Sequence, residues 1–127
     1  KDIKLNLIKP KNDIYFHFDT LQISRCFNNL LKNAIEAVEK LPNPAVEILM
    51  ITDAKNIKIE IKDNGVGIDE KMLSKIFEPY FTTKTKGTGL GLSIVKRIIE
   101  DHGGKIKIEK NKNMAGTKSL INFEYNA

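Results

Sequence analysis

Apolar positions recur along this chain at two spacings, and each spacing predicts its own kind of element. The runs Ile3 to Ile8 and Ile14 to Phe18 read as short strands, separated by the polar turn Lys9-Pro10-Lys11-Asn12-Asp13. Asp19 then has the character of a helix N-cap, with Gln22 three residues on to complete a capping box. Ile23, Phe27, Leu30, Leu31, Ala34, Val38 and Leu41 follow at helical spacing, so a helix of about six turns runs until Pro42-Asn43-Pro44 stops it. Val46 to Thr52 and Ile57 to Lys62 are the next strands, and the link Asp53-Ala54-Lys55-Asn56 makes them an antiparallel hairpin. A glycine-rich turn leads to a short helical stretch from Glu70 to Ile76, then to an irregular segment through Pro79 and Thr82 to Gly89. The helix from Leu90 to His102 turns Leu92, Val95, Ile98 and Ile99 inward and stops at Gly103-Gly104. Strands at Lys105 to Glu109 and Lys118 to Tyr125 complete the order. No internal repeat or linker interrupts it, so the pattern predicts one domain over residues 1–127. Its fold class is α+β, a two-layer sandwich with the helices on one face of an antiparallel-leaning sheet.

Composition narrows the function classes. Hydrophobic residues make up 41% and charged residues 29% of the 127, enough for a real core and unlike a disordered or fibrous chain. No stretch approaches the roughly 20 apolar residues of a membrane helix, and the opening Lys1-Asp2-Ile3-Lys4 lacks a signal peptide's apolar core. A soluble, cytoplasmic domain is the expectation. The single Cys26 excludes an intramolecular disulfide and a multi-cysteine zinc site; among apolar neighbours it reads as a plain buried thiol. The net charge of +5 is carried almost wholly by lysine. Lys58, Lys62, Lys105 and Lys107 alternate with Ile or Glu, as solvated strand faces do, so a phosphorylated small ligand suits this mild field better than nucleic acid.

Three places resist a purely structural reading. Ile57, Ile59 and Ile61 share one strand face, and alternation puts Asp63 on that same apolar face. A carboxylate there needs a dedicated donor, either a backbone amide of the following turn or a ligand N–H. The plain alternative is an Asx-type turn in which the acid caps its own backbone. The glycines of Gly65-Val66-Gly67-Ile68 would let something flat approach beside the acid. The second place is Gly87-Thr88-Gly89-Leu90-Gly91-Leu92, which leads straight into a helix and would expose N–H groups suited to phosphate. It fits neither a dinucleotide fingerprint nor a P-loop, because no strand precedes it and no Gly-Lys-Ser/Thr ends it. The third is the stripe Asn29, Asn33 and Glu36 on the long helix, within a narrow arc at about 100° per residue. Such oxygens suit Mg²⁺, although an ordinary solvated face would look the same.

Together, Asn29-Leu30-Leu31-Lys32-Asn33-Ala34, Asp63-Asn64-Gly65-Val66-Gly67, Phe77-Glu78-Pro79-Tyr80-Phe81, Gly87-Thr88-Gly89-Leu90-Gly91-Leu92 and Gly116-Thr117 resemble the catalytic ATP-binding domain of two-component sensor histidine kinases. They are similar, in order, to that family's N-box, first glycine box, F-box, second glycine box and closing Gly-Thr. Tyr80-Phe81-Thr82-Thr83-Lys84 looks most like the nitrogen-regulation type. The resemblance implies the Bergerat ATP fold of the GHKL superfamily: a mixed, mostly antiparallel sheet of about five strands, three helices on one face, and a mobile ATP lid. It implies that Asp63 accepts from the adenine amino group near Gly67 and Thr117, that Asn33 binds Mg²⁺, and that Asn29 helps hold phosphates or metal. Gly87, Gly89, Leu90 and Gly91 would offer N–H groups to the phosphates. Ala37, Gly65, Ile68, Thr88 and Leu92 would line the same pocket, while Phe77 and Phe81 pack the base of a lid formed by Thr82 to Lys86.

Departures from the family pattern refine this. The superfamily's true ATPases carry a glutamate base where this chain has Asn29, and an amide cannot take that proton, so fast hydrolysis is not expected. Glu36 and Ala37 stand where many sensor kinases have a basic residue and a tyrosine, and Thr82 replaces an arginine, which makes Lys84 the candidate phosphate contact ahead of Lys32 or Lys86. No His-Glu-x-x-Asn-Pro segment is present: His17 falls in a predicted strand and His102 near a helix end. The expected role is therefore transfer from Mg-ATP to a histidine on a separate dimerisation and phosphoacceptor domain, with a response regulator downstream. The fragment would be monomeric, and the parent a homodimer with room for an inner-membrane anchor. The alternatives are a nucleotide-sensing interaction module with little chemistry, or a serine kinase of the anti-sigma type on the same fold.

Overall fold

The computed structural model describes residues 3–8, 19–79, 91–111 and 115–124. In chain order the elements are β1 (Lys4–Ile8), α1 (Thr20–Val38), β2 (Ala45–Thr52), β3 (Asn56–Asp63), α2 (Glu70–Leu73), α3 (Gly91–Asp101), β4 (Gly104–Lys110) and β5 (Thr117–Glu124). One five-stranded sheet runs β1-β2-β3-β5-β4. Its last four strands are antiparallel neighbours, and β1 is added at the edge, parallel to β2. The mixed, mostly antiparallel sandwich expected from the sequence is thus present. The expected strand at Ile14 to Phe18 and the turn before it lie outside the described residues.

Alternation along β3 decides which face is the core. Ile57, Ile59 and Ile61 are buried while Lys58 is exposed, and the register places Ile59 opposite Ile121 and Ile57 opposite Phe123. α1 lays Cys26, Leu30, Ala34 and Val38 over this face at helical spacing, and α3 adds Val95, Ile98 and Ile99. Each such large side chain, fully buried, contributes about 1.5–3 kcal/mol. Burial pushes the Cys26 thiol up to about 11, against the opposing charge of Arg25, and its Sγ lies 3.7 Å from the Val95 carbonyl oxygen. It is an inert core thiol that joins α1 to α3. The far side of the sheet carries the lysines, interleaved with glutamates: Lys118 pairs with Glu109 at 3.1 Å, Lys107 with Glu109 at 3.4 Å, and Lys62 with Glu60 at 3.6 Å.

Several boundaries differ from the sequence reading, and α1 for one ends at Val38, before Leu41. The second helix ends at Leu73 instead of Ile76, because Lys75 and Glu78 donate to carbonyls three residues back and the chain continues as tight turns. Those turns bury Ile76. At the end of α3, Gly103 takes φ +77, and a Cβ on Gly104 would sit 2.6 Å from the Phe123 ring. The paired glycines therefore let β4 leave the helix against the core.

Asp19 caps α1 by accepting from the Gln22 N–H at 3.2 Å, but the capping box is only half made. The Asp19 N–H goes to His102 Nε2 at 3.0 Å, and His102 Nδ1 lies 2.8 Å from the Ile98 carbonyl oxygen. With the proton on Nδ1, one neutral imidazole donates to α3 and accepts from the start of α1. His102→Ala should lower stability by about 1 kcal/mol. Urea unfolding would show this as a lower midpoint with an unchanged slope; an unchanged midpoint would mean that the tie contributes nothing.

Candidate functional site

Asp63 ends the buried row of β3 and is 8% exposed, the one charged residue among the buried positions described. Its Oδ1 accepts from the Gly65 N–H at 2.9 Å and from the Thr117 N–H, the first of β5, at 3.3 Å. Both readings of the sequence meet here, since the acid caps its own turn and is also buried on the apolar face. Burial raises its carboxyl above the ordinary 3.8, while the Gly65 and Thr117 amides pull it back down. Both of these hydrogen bonds go to Oδ1, so Oδ2 has no donor among the described residues.

The backbone around the acid is crowded on two sides. Gly116, at φ +124, lies so close that an added Cβ would overlap the Asp63 carbonyl oxygen. On Gly65 a Cβ would meet the Ala37 carbonyl oxygen at 2.8 Å and the Ala37 Cβ at 3.0 Å. Gly67, at φ +82, faces the Gly116 carbonyl oxygen. Asn64 pins the turn from below: its Oδ1 accepts from Ala45 N–H at 2.9 Å and its Nδ2 donates to the Asn43 carbonyl at 2.8 Å. The Ala37–Gly65 contact brings α1 to the acid. Asn33 and Asn29 lie one and two turns back from Ala37, at spacings of four, and both are half-buried. Glu36, in the same stripe, is 4.0 Å from Lys32.

The structure therefore gathers Ala37, Asp63, Gly65, Gly67 and Thr117 in one place, with half-buried Ile68 following Gly67 and the asparagine stripe running from it. Gly91 opens α3 with no neighbour among the described residues within 4 Å of where its Cβ would stand, and Leu92 packs against the core cluster. Lys84, Gly87, Thr88, Gly89 and Leu90, with Phe81 and the Thr82 to Lys86 segment, lie outside the described residues. Sequence reasoning missed Asn64 and Lys96, whose Nζ lies 5.6 Å from the Phe77 ring centroid. The turn composition was a signal for Asn64. Lys96 had none, because its partner is far away in sequence.

Comparison with known proteins bears on this arrangement. The family described as histidine kinase-, DNA gyrase B- and HSP90-like ATPase matches residues 18–126. Sporulation kinase A of Bacillus subtilis is 41% identical over 113 residues, which are 89% of this chain and 18% of that protein. Nitrogen regulation protein NtrY of Azorhizobium caulinodans is 40% identical over 96 residues, 72% of this chain and 12% of that protein. The solved catalytic domain of histidine kinase ThkA matches with a TM-score of 0.85 and 35% identity, over 98% of this chain and 80% of that one. The chain spans less than a fifth of the length of these two full-length relatives.

The Asp63 carboxyl titrates higher in the folded chain than in the unfolded one. Its contribution to stability is thus fully present below the ordinary 3.8 and is lost as pH rises through the raised folded value. Asp63→Asn keeps an acceptor for both amides and loses the buried charge. It should match or exceed the parent in stability near pH 7, with the advantage fading on acidification; a variant less stable than the parent at neutral pH would contradict this. Gly116→Ala, by contrast, should cost at least about 2 kcal/mol through backbone strain and overlap, read as a lowered unfolding midpoint.

Proposed function

The chain belongs to the histidine kinase-, DNA gyrase B- and HSP90-like ATPase family, and on that premise we propose that it binds Mg-ATP and donates the γ-phosphoryl group to a histidine on a separate dimerisation and phosphoacceptor domain. The observation that carries the reading is Asp63: a buried carboxylate with one oxygen occupied by two backbone amides and the other turned to no donor of the described chain. An adenine amino group supplies the missing N–H. The glycines at 65, 67 and 116 let the backbone close tightly around the acid.

Asn33 offers an uncharged amide oxygen on the α1 strip, and Asn29 lies one turn further from the acid. No group of three or more His, Cys, Asp or Glu able to hold a metal occurs among the described residues. That suits Mg²⁺, which takes one or two protein oxygens and fills its shell with phosphate and water. Bound there, Mg²⁺ neutralises charge on the transferring phosphoryl group. Gly91 supplies a backbone N–H at the start of α3, and Gly87, Gly89, Leu90 and Lys84 are the further phosphate contacts of this reading.

Asn29 cannot act as a general base, so water is poorly activated and ATP persists until an acceptor arrives. His102 holds Asp19 and Ile98 with its two ring nitrogens, which leaves it unsuited to receive phosphate. The acceptor therefore belongs to the parent protein, whose dimerisation helices bring it in line, with a response regulator taking the phosphoryl group onward. No helix among the described residues is long and apolar enough to cross a membrane.

Calorimetric titration with ATP, with and without Mg²⁺, tests the site. Asp63→Asn should weaken binding about 10- to 100-fold, as expected for losing a charged acceptor and facing the ligand with an NH₂. Asn33→Ala should weaken the Mg²⁺ dependence. Variants that bind like the parent would refute the assignment. Adding a phosphoacceptor domain should then give acid-labile phosphohistidine. Acid-stable phosphoserine would favour the anti-sigma type, and ATP binding without transfer would favour the nucleotide-sensing module.

A further inference from the structure

Residues 80–90 join two described stems, the turn that ends at Pro79 and α3, which begins at Gly91. A contact between side chains ties these stems together. Lys96, in the second turn of α3, places Nζ 5.6 Å from the Phe77 ring centroid, and Glu100 Oε1 lies 3.7 Å from the same ammonium. Each end of the contact is anchored by a neighbour in sequence: Ile76 is 3% exposed and Val95 is fully buried. The ring and the cation thus stand on fixed backbone, and their contact bears on the distance between the stems. Beside the α3 stem, no atom of the described residues, the adjoining helix backbone aside, lies within 4 Å of where a Gly91 Cβ would stand, so among them nothing bars a group from approaching the backbone there.

We propose that Lys96 is a positioning residue for nucleotide binding: by holding Phe77, it keeps the start of α3 where its backbone meets the phosphates. This rests on the nucleotide reading given above. Removing the contact gives the Phe77 turn and the first turns of α3 more freedom about their buried anchors, and apparent affinity falls by the fraction of molecules still in the competent arrangement. The size of a partly exposed cation–π contact sets the scale, about two- to fivefold. The Lys96–Glu100 pair is surface-exposed and adds little.

The test is a double-mutant cycle read by ATP affinity. Lys96→Met should weaken ATP binding about two- to fivefold and leave adenosine binding, followed by NMR titration, unchanged. Lys96→Arg should restore the parent's value, since guanidinium also sits over an aromatic ring. In a Phe77→Leu background Lys96→Met should have no further effect. Lys105→Met, which removes an equal charge from the outer sheet face, serves as the control and should bind like the parent. Equal losses for ATP and adenosine, an undiminished effect in the Phe77→Leu background, or no effect at all would each overturn the proposal. An effect that persists without Phe77 would mean that Lys96 touches phosphate directly. If the parent itself bound no ATP, the nucleotide reading would fall first, which separates the two failures.

Discussion

One carboxylate oxygen organises this domain. Asp63 Oδ1 receives the amide of the turn that follows it and the first amide of a strand 54 residues later in the chain. That junction fixes where β5 begins relative to the end of β3, and the ladder from Lys62–Lys118 to Asn56–Glu124 continues from it. The demands on neighbouring residues follow. Residue 116 must cross the Asp63 carbonyl with no Cβ, residue 65 must fit beneath Ala37, and Asn64 must tie the turn to the start of β2. Glycine at 65 and 116 is a steric consequence of the shared oxygen, independent of any ligand. The second oxygen takes neither of these bonds, so the structural contacts of the acid fall on one of its two atoms.

The two long helices are tied to each other, and α3 to the Phe77 turn, by individually modest contacts. His102 joins the start of α1 to the end of α3, Cys26 meets α3 near its middle, and Lys96 reaches from α3 to the Phe77 turn. Each bridges segments distant in sequence, and each uses one side chain against backbone or ring. The apolar core holds the helices on the sheet, and these contacts add directional ties between the helices and to the Phe77 turn.

Local pattern made much of this legible. Period-two alternation put Asp63 on the apolar face, and helical spacing picked out Leu30, Ala34 and Val38, which are buried, with Ile23, Phe27, Leu31 and Leu41 partly buried against them. Both signals come from residues within a few positions of one another. Thr117 as the partner of the acid was not readable from spacing, because pairing of β3 with β5 depends on the whole fold; only the family resemblance brought it forward. Asn64 read as turn composition, although its side chain spans two chain segments. The second helix was drawn too long because the residues from Ser74 to Ile76 carry no breaker of their own, and the bonds that end it are settled by burial of Ile76.

A carboxylate at position 63 costs stability, since its raised pKa means that the amides do not fully offset desolvation. An amide there would serve Gly65 and Thr117 equally well as acceptor, so the fold alone does not call for the acid. What the acid adds is a second acceptor oxygen with no N–H of its own, which an asparagine cannot offer. Ligand binding to the folded chain returns stability in proportion to occupancy, about 2.7 kcal/mol at a hundredfold excess over the dissociation constant. On the proposed reading, the charge that weakens the empty domain is offset in the nucleotide-bound one. On that reading the cost and the binding contribution come from the same carboxyl group, so a substitution that relieves the first also removes the second.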